Sequence, residues 1–406
     1  MRPFSSTISY DEARRRLDAA AAPIARTERL PLSSAAWRVA AEDIVSAIDV
    51  PPFARSAMDG YAVVAADTTN ASDTSPVRLR ISERIYTGQP PSTPVTRGTC
   101  AEIATGAPIP SGADAVIMVE QTSSAGDGLV AITTPAAAGQ NIGRRGGDIS
   151  AGVVVVRKRE LLTPGRIGAI AAVGCGEIDV YAKPRVAILS TGNEVVEPGV
   201  ALAPGQIFDV NRFTLAPIVD RNGGIAVTHR PAEDSVAALS AALERCAGAD
   251  IIVFSGGSSV GERDLIVDLI AAKGEMIFHG VAMKPGKPTG FAFVDAGGTR
   301  TPFFAMPGNP TSCLSNAYVL LVPFLRAVAQ LPKTIERTVR LPLGRGIVSQ
   351  AGRLQFYSVR IENGTVLPAF KGSGDITSLS HADGYIQIPP DQAVLEEGRV
   401  VEVTLF

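Results

Sequence analysis

Three short loops carry the residues best suited to chemistry. Each follows a β-branched, apolar run: Thr191-Gly192-Asn193-Glu194 after RVAILS, Ser255-Gly256-Gly257-Ser258 after DIIVF, and Pro307-Gly308-Asn309-Pro310 after PFFAM. Glycine lets backbone N–H groups approach an anion, and the helix that follows such a loop adds a favourable dipole. In an open α/β sheet, ligands bind at the carboxyl ends of the strands, so three such loops on one edge point to a phosphate-bearing ligand. Carboxylates follow the glycines closely: Glu194 in the first loop, Glu262 and Asp264 after the second. Beside an anion they repel it unless a cation lies between, and Mg²⁺ commonly binds through one or two carboxylates plus substrate phosphates. The plainer reading is that an acid complements a helix N-terminus, worth ~0.3–1 kcal/mol. That reading suits Glu262, while Glu194 and Asp264 are read as functional.

A second pattern is cationic. Met283-Lys284-Pro285-Gly286-Lys287-Pro288 sets two lysines on a turn stiffened by two prolines. Proline fixes φ and glycine relaxes the bend, so the two ammonium groups are held apart in a way that suits phosphate, sulfate or molybdate. Elsewhere, Asp59 in RSAMDGY, Thr105 in TGAPIP and Asp148 in RGGD sit at glycine turns that are individually structural. A competing chemistry is also written in the chain. Gly257-Ser258-Ser259-Val260-Gly261 matches the G-x-S-x-G elbow of α/β-hydrolases, and Asp295 and His381 follow in the required order. His381 falls in a C-terminal β-like segment, however, no HGGG-type stretch precedes the elbow, and the paired lysines would have no role.

The elements that must position these groups follow from pattern changes. Ser9-Tyr10-Asp11-Glu12 has capping-box spacing and opens a helix to about Ala22. From Arg29 to about Tyr181 short strand-like runs alternate with loops rich in Gly, Pro, Ser and Thr, with one helical interruption at Pro164 to Val173. From Lys183 the strand-like runs RVAILS, GIAVTH, DIIVF, EMIFHG and PFFAM are interleaved with helical stretches near 212–222, 233–247, 262–272 and 310–329. This predicts a mostly parallel sheet covered on both faces. After Pro332 the pattern is β-like to the end. With 406 residues and roughly 100–200 per domain, the chain should hold several domains.

Composition removes other classes. The hydrophobic share is 46%, the charged share 19% and the net charge −2, so no overall field recruits nucleic acid. The four cysteines are scattered without CxxC and the three histidines lie far apart, against a zinc ribbon, a disulfide framework or a His-rich metal site. The longest apolar run, Ala317 to Leu325, is short of the ~20 residues a membrane span needs, and the N-terminus lacks a signal-peptide pattern. A cytoplasmic protein is expected.

The pieces RSAMDGYA, ATGAPIPSGADAV, RRGGDISAG, AILSTGNEV, GQIFDVNR, FSGGSSVGERD, MKPGKPTGF and MPGNPTS occur in the order found in the MoeA family, and the chain resembles that family over nearly its whole length. The family also supplies the C-terminal domain of gephyrin. The resemblance implies insertion of molybdate into adenylylated molybdopterin, with AMP released and a divalent cation such as Mg²⁺ required. It implies an elongated homodimer, with a MogA-type adenylyltransferase and molybdoenzyme apoproteins as possible partners. The fold implied is multidomain α/β plus β. A MogA-like domain with a mostly parallel sheet spans 183–330, and two β-rich modules span 1–50 with 146–182 and 51–145. A barrel-like β domain spans 331–406.

The resemblance also distributes roles. Ser255, Gly256, Gly257 and Ser258 join Thr191 and Gly192 in a pterin-phosphate pocket that Asp234 lines. Asp264 and Glu194 lie beside the metal or adenylate. Lys284 and Lys287 hold molybdate, with Pro307, Pro310, Ser312 and Ser373 nearby. Asp59, Thr105 and Asp148 come from an opposing β domain across a dimer interface. Two departures stand out: Asn193 replaces a frequent Asp, and Ser358 replaces an expected Arg in LQFYSVRIE, where Arg360, two residues on and on the same strand face, is the candidate for an anion contact. A scaffold that keeps the fold without catalysis is the remaining alternative.

Overall fold

The computed structural model describes residues 7–256, 265–333 and 335–406, and divides the chain into two compact units. One is Arg29–Val180; the other joins Met1–Glu28 to Tyr181–Phe406. Gly257, Ser258, Ser259, Glu262 and Asp264 lie outside the described residues.

The larger unit is organised by a six-stranded sheet. Its order is Ile225–Thr228, Arg185–Ser190, Ile251–Ser255, Arg300–Met306, Gly290–Asp295, Gly274–His279. The first four strands run parallel; Gly290–Asp295 runs against both of its neighbours, so Gly274–His279 points the same way as the first four. Sequence reading missed the strand GFAFVD at Gly290–Asp295, whose hairpin with Arg300–Met306 makes that edge antiparallel. Its alternating large residues mark a strand, but the strong signals on either side masked it.

Both faces of this sheet are dry, which explains why its strands are continuous apolar runs rather than alternating ones. On one face Val186, Ile188, Ile251, Val253 and Phe304 pack with Leu215 and Ile218 of helix Asn211–Arg221, Phe324 and Leu325 of helix Val322–Val328, and Leu17 of helix Tyr10–Ala20. On the other, Ala187, Leu189, Ile252, Phe254 and Phe303 meet Leu239 and Leu243 of helix Val236–Arg245 and Ile266 and Leu269 of helix Leu265–Lys273. The N-terminal helix begins as its spacing predicts: the Ser9 hydroxyl accepts from the Glu12 N–H at 3.1 Å. Pro310–Val328 is apolar and long enough, by composition alone, to cross a bilayer, but 72% of it is buried in this core.

The C-terminal sheet runs Met283–Lys284, Leu354–Glu362, Gly384–Ile388, Val400–Leu405, Thr338–Pro342, with Thr365–Pro368 added beside Leu354–Glu362. Its first strand comes from the lysine turn: Met283 pairs with Leu354 and Lys284 with Gln355, in parallel. Strand alternation therefore sorts the neighbours. Met283 and Phe356 point into the α/β core, whereas Tyr357, Val359 and Ile361 point into the core of the C-terminal sheet.

The unit Arg29–Val180 holds a third six-stranded sheet, ordered Ala115–Met118, Gly60–Val63, Thr99–Ile103, Val77–Ile85, Leu129–Ile132, Thr122–Ser124. Helix Pro164–Ala172 packs in a separate cluster with Val156, Leu162 and Val180. The MDG turn has a steric reason here. A Cβ on Gly60 would stand 1.8 Å from the Ile117 carbonyl oxygen, so no other residue fits between these strands.

Candidate functional site

The carboxyl ends of the parallel strands open into a cleft of about 920 Å³. It is lined by Thr191, Glu194, Asp234, Ser255, Gly256, Lys284, Lys287, Pro307, Pro310, Ser312 and Ser373, so most of the sequence-derived candidates of this unit converge on one space. The close approach of loops demands glycine. Gly256 has φ +104°, and a Cβ there would lie 2.3 Å from the Thr191 carbonyl oxygen; Gly308 packs against Gly256 from the third loop. Gly192, with φ +147°, sits between Thr191 and Glu194, where a Cβ would meet the Glu194 carboxylate at 2.7 Å. Among the described residues three buried polar atoms at the cleft form no hydrogen bond: Thr191 Oγ1, Asn211 Oδ1 and Asp209 Oδ2, the last of which faces Arg212 in an ion pair. Such atoms are costly to bury unsatisfied and are what a ligand would complete.

One wall is acidic. Burial and the charge of Glu194 raise the pKa of Asp234 above the usual carboxylate range, so these two acids share one neighbourhood. Asn193 does not leave this loop disarmed. Its Oδ1 accepts the Asp234 N–H at 3.0 Å, a bond that an Asp at this position could also accept, while its neutral amide adds no further repulsion. Ser235 then caps helix Val236–Arg245, accepting from the Ala238 N–H at 3.1 Å. Asp209 completes the wall from deeper in the floor. It is 3% exposed, its Oδ2 faces Arg212 Nε at 3.2 Å, and Arg212 in turn pairs with Glu197, whose carboxyl it holds below the usual range. Sequence reading quoted GQIFDVNR without giving Asp209 a role; its signal was an acid two residues before a helix start.

The other wall is cationic: Lys284 and Lys287 from the turn, Arg353 and Lys371 from the C-terminal segment. Gly286 lets the turn fold against Asn316, since a Cβ would lie 2.1 Å from its Nδ2. Asn316 Nδ2 donates to the Gly286 carbonyl at 2.9 Å, fastening the turn to the core. Ser373 belongs to this wall through its backbone, accepting the Ser312 N–H at 3.3 Å, and its hydroxyl accepts from Asn309 Nδ2 at 3.1 Å.

Strand parity separates the arginines. Lys284 pairs with Gln355, so Arg353, two residues before Gln355, stands on the same face as Lys284. Ser358 and Arg360 stand on the opposite face, with Phe356. The expectation that Arg360 takes over an anion contact is corrected for this cleft: Arg360 is exposed, pairs with Glu362 at 3.2 Å and is not among the lining residues. Ser358 is buried among Ser315, Tyr318 and Tyr385, away from the cleft. Arg353 and Lys371 went unseen because nothing in their local sequence distinguishes them from solvated surface residues.

In the unit Arg29–Val180 two candidates meet directly. The Asp59 carboxylate accepts the Thr105 N–H at 2.7 Å, which holds its pKa below the usual range. Asp148 bonds through its backbone N–H to the Val50 carbonyl at 3.0 Å. Of the hydrolase candidates, Ser259 lies outside the described residues and Asp295 stands away from the cleft. Asp295 ends the antiparallel strand Gly290–Asp295 and accepts the Gly298 N–H at 2.7 Å in the hairpin turn, at the opposite end of the sheet from the cleft. Among the described residues no group of three or more His, Cys, Asp and Glu forms a metal cage.

Comparison with known proteins gives a consistent result. Three family descriptions match in succession: "MoeA N-terminal region (domain I and II)" over residues 8–174, "Probable molybdopterin binding domain" over 187–327, and "MoeA C-terminal region (domain IV)" over 340–406. Molybdopterin molybdenumtransferase 2 of Mycobacterium tuberculosis is 36% identical, covering 92% of this chain and 94% of that protein. Molybdopterin molybdenumtransferase of Haemophilus influenzae is 32% identical, covering 98% of each. The crystal structure of the molybdopterin biosynthesis MoeA protein from Pyrococcus horikosii superimposes with a TM-score of 0.85 at 38% identity, covering 98% of this chain and 99% of that one. The chain belongs to the MoeA family, whose curated members carry the name molybdopterin molybdenumtransferase.

Proposed function

We propose that this protein is a molybdopterin molybdenumtransferase of molybdenum cofactor biosynthesis, inserting molybdate into adenylylated molybdopterin with release of AMP. The observation that carries the reading is the division of one cleft into an acidic wall and a cationic wall. The glycine loops border the pterin phosphate; the N–H groups of Thr191, Gly192 and Gly256 are already bonded to the Ser255, Ala232 and Met306 carbonyls, so its donors come from elsewhere in the cleft. Lys284, Lys287 and Arg353 hold the incoming oxyanion through charge-assisted hydrogen bonds, which are the stronger kind. Ser312 and Ser373 border that oxyanion, and Thr191 Oγ1 and Asn211 Oδ1 gain their missing partners from the substrate.

Glu194 and Asp234 fit a divalent cation such as Mg²⁺, because burial and the charge of Glu194 raise the cost of ionising Asp234 and a cation between the two acids removes the part due to Glu194. The cation would neutralise phosphate charge as the adenylate leaves. Asp264 is assigned to the same role from the sequence. The reading further places the enzyme in the cytoplasm as a homodimer that receives substrate from a MogA-type adenylyltransferase and serves molybdoenzyme apoproteins. Asp59, Thr105 and Asp148 then work with the cleft of the second subunit; this rests on the family resemblance. Mixing Asp59→Ala and Glu194→Ala subunits tests it, since verified heterodimers should regain one intact site in two and no recovery would refute it.

The whole reading is tested by incubating purified protein with adenylylated molybdopterin, molybdate and Mg²⁺. Molybdate-dependent release of AMP is the expected result. Hydrolysis of the adenylate without metal insertion would refute the reading.

A further inference from the structure

Beneath the cleft three side chains form a chain of hydrogen bonds whose direction is fixed. Ser190 and Ser255 end adjacent parallel strands and are paired in register. Ser190 Oγ lies 2.7 Å from Asp209 Oδ1 and 3.2 Å from Ser255 Oγ. Ser190 is 3% exposed and Ser255 1%, and both line the cleft. Asp209 is ion-paired: its Oδ2 faces the Arg212 guanidinium at 3.2 Å, and its Oδ1 also accepts the Arg212 backbone N–H at 3.1 Å. A carboxylate only accepts, and a serine hydroxyl has one hydrogen. Ser190 must therefore spend its hydrogen on Asp209, since the opposite arrangement would face two sets of lone pairs at 2.7 Å. Ser255 then spends its own hydrogen on Ser190.

We infer that Asp209, acting through Ser190, makes Ser255 an acceptor-only group at the cleft floor, a site for an electropositive part of the ligand and not for its phosphate. Within the proposed function, on which the naming of the ligand rests, that part is an N–H of the flat pterin ring or the divalent cation. Both present positive charge to an oxygen lone pair. Phosphate recognition is left to other donors of the cleft, among them Thr191 Oγ1, which has no hydrogen-bond partner among the described residues and is able to donate. Asp209 and Ser190 are positioning residues, and Ser255 is the contact.

Two experiments test this. Neutron diffraction from a deuterated crystal of the full chain, with no ligand, locates the Ser255 deuteron. It should lie between Ser255 Oγ and Ser190 Oγ, and a deuteron directed into the cleft would overturn the inference whatever the enzyme's substrate. Binding then separates the ligand sources. Ser255→Ala should weaken either Mn²⁺ alone or metal-free molybdopterin about fivefold, the effect of one hydrogen bond of ordinary strength, with AMP and inorganic phosphate unchanged. Loss confined to Mn²⁺ identifies the cation, and loss confined to molybdopterin identifies the ring. In Ser190→Ala the freed Ser255 hydroxyl can turn, so phosphate binding should rise or hold while the affected ligand weakens. Thermal unfolding of both variants reports whether the fold persists. A Ser255→Ala variant that weakens phosphate, or that changes none of the probes, would contradict the inference. Failure of wild-type protein to bind molybdopterin would instead count against the proposed function.

Discussion

The two walls of the cleft are made in different ways. The acidic wall and the glycine loops at its foot are local in sequence: Thr191 to Glu194 leaves the end of strand Arg185–Ser190, Ser255 with Gly256 leaves the end of strand Ile251–Ser255, and Asp209 and Asp234 stand just before helices Asn211–Arg221 and Val236–Arg245. The cationic wall is assembled from segments distant in sequence. The lysine turn is drawn into the C-terminal sheet by its pairing with Leu354 and Gln355, and that register brings Arg353 beside Lys284. A loop wall can be read from a few consecutive residues. A wall built by register can be read only after the pairing is known, because a shift of one residue would exchange Arg353 for a core-facing neighbour.

The largest effect should come from breaking the loop wall. Gly256→Ala places a Cβ 2.3 Å from a backbone oxygen in a left-handed conformation, so strain alone costs on the order of 1–3 kcal/mol and the clash adds to it. Calorimetry should show a lower melting temperature, and activity should be nearly abolished. A stable, active variant would mean that the loops do not pack as described.

Next comes the register wall. Arg353→Ala should weaken molybdate by about tenfold, the loss of one charge-assisted bond, while Arg360→Ala should change it less than about twofold. Equal effects from the two changes would show that strand parity does not decide which arginine reaches the ligand.

The smallest effect sharpens the acidic wall through pH. Asp234 has a folded-state pKa raised by burial and by Glu194, so its ionised form is destabilising near neutrality and that cost is relieved as pH falls through the raised value. Without metal, Asp234→Asn should therefore leave the protein equally or slightly more stable at pH 7, with no gain at acid pH. In the native protein Mg²⁺ affinity should decline on acidification at a higher pH than an ordinary carboxylate, near 4, would produce. Titrations of metal binding and of melting temperature against pH check both. A stability loss at pH 7 in this variant would reverse the sign assigned to Asp234.

These contrasts explain what was legible in the sequence. The four parallel strands and their helices were legible because burial on both faces leaves unbroken apolar runs between glycine loops. Gly290–Asp295 was not, because its meaning lies in a hairpin. Glu194, Lys284 and Lys287 stand in motifs whose residue types already state a chemistry. Arg353 and Lys371 stand in none, and Arg360 was the arginine the strand sequence offered when its face was judged from Ser358 alone. Asp209 was visible only as part of a motif that also holds Arg212, since its partner Ser190 is joined to it by the fold.

The division of labour between the walls has one direct measurement: molybdate-dependent AMP release, followed across molybdate concentration, in Lys284→Ala/Lys287→Ala and in Glu194→Gln. If the cationic wall holds the oxyanion and the acidic wall serves the adenylate, excess molybdate should restore much of the activity of the lysine variant. It should restore none of the activity lost in Glu194→Gln. Restoration of Glu194→Gln by molybdate, or a lysine variant that keeps normal molybdate dependence but no longer binds adenylylated molybdopterin, would contradict that division.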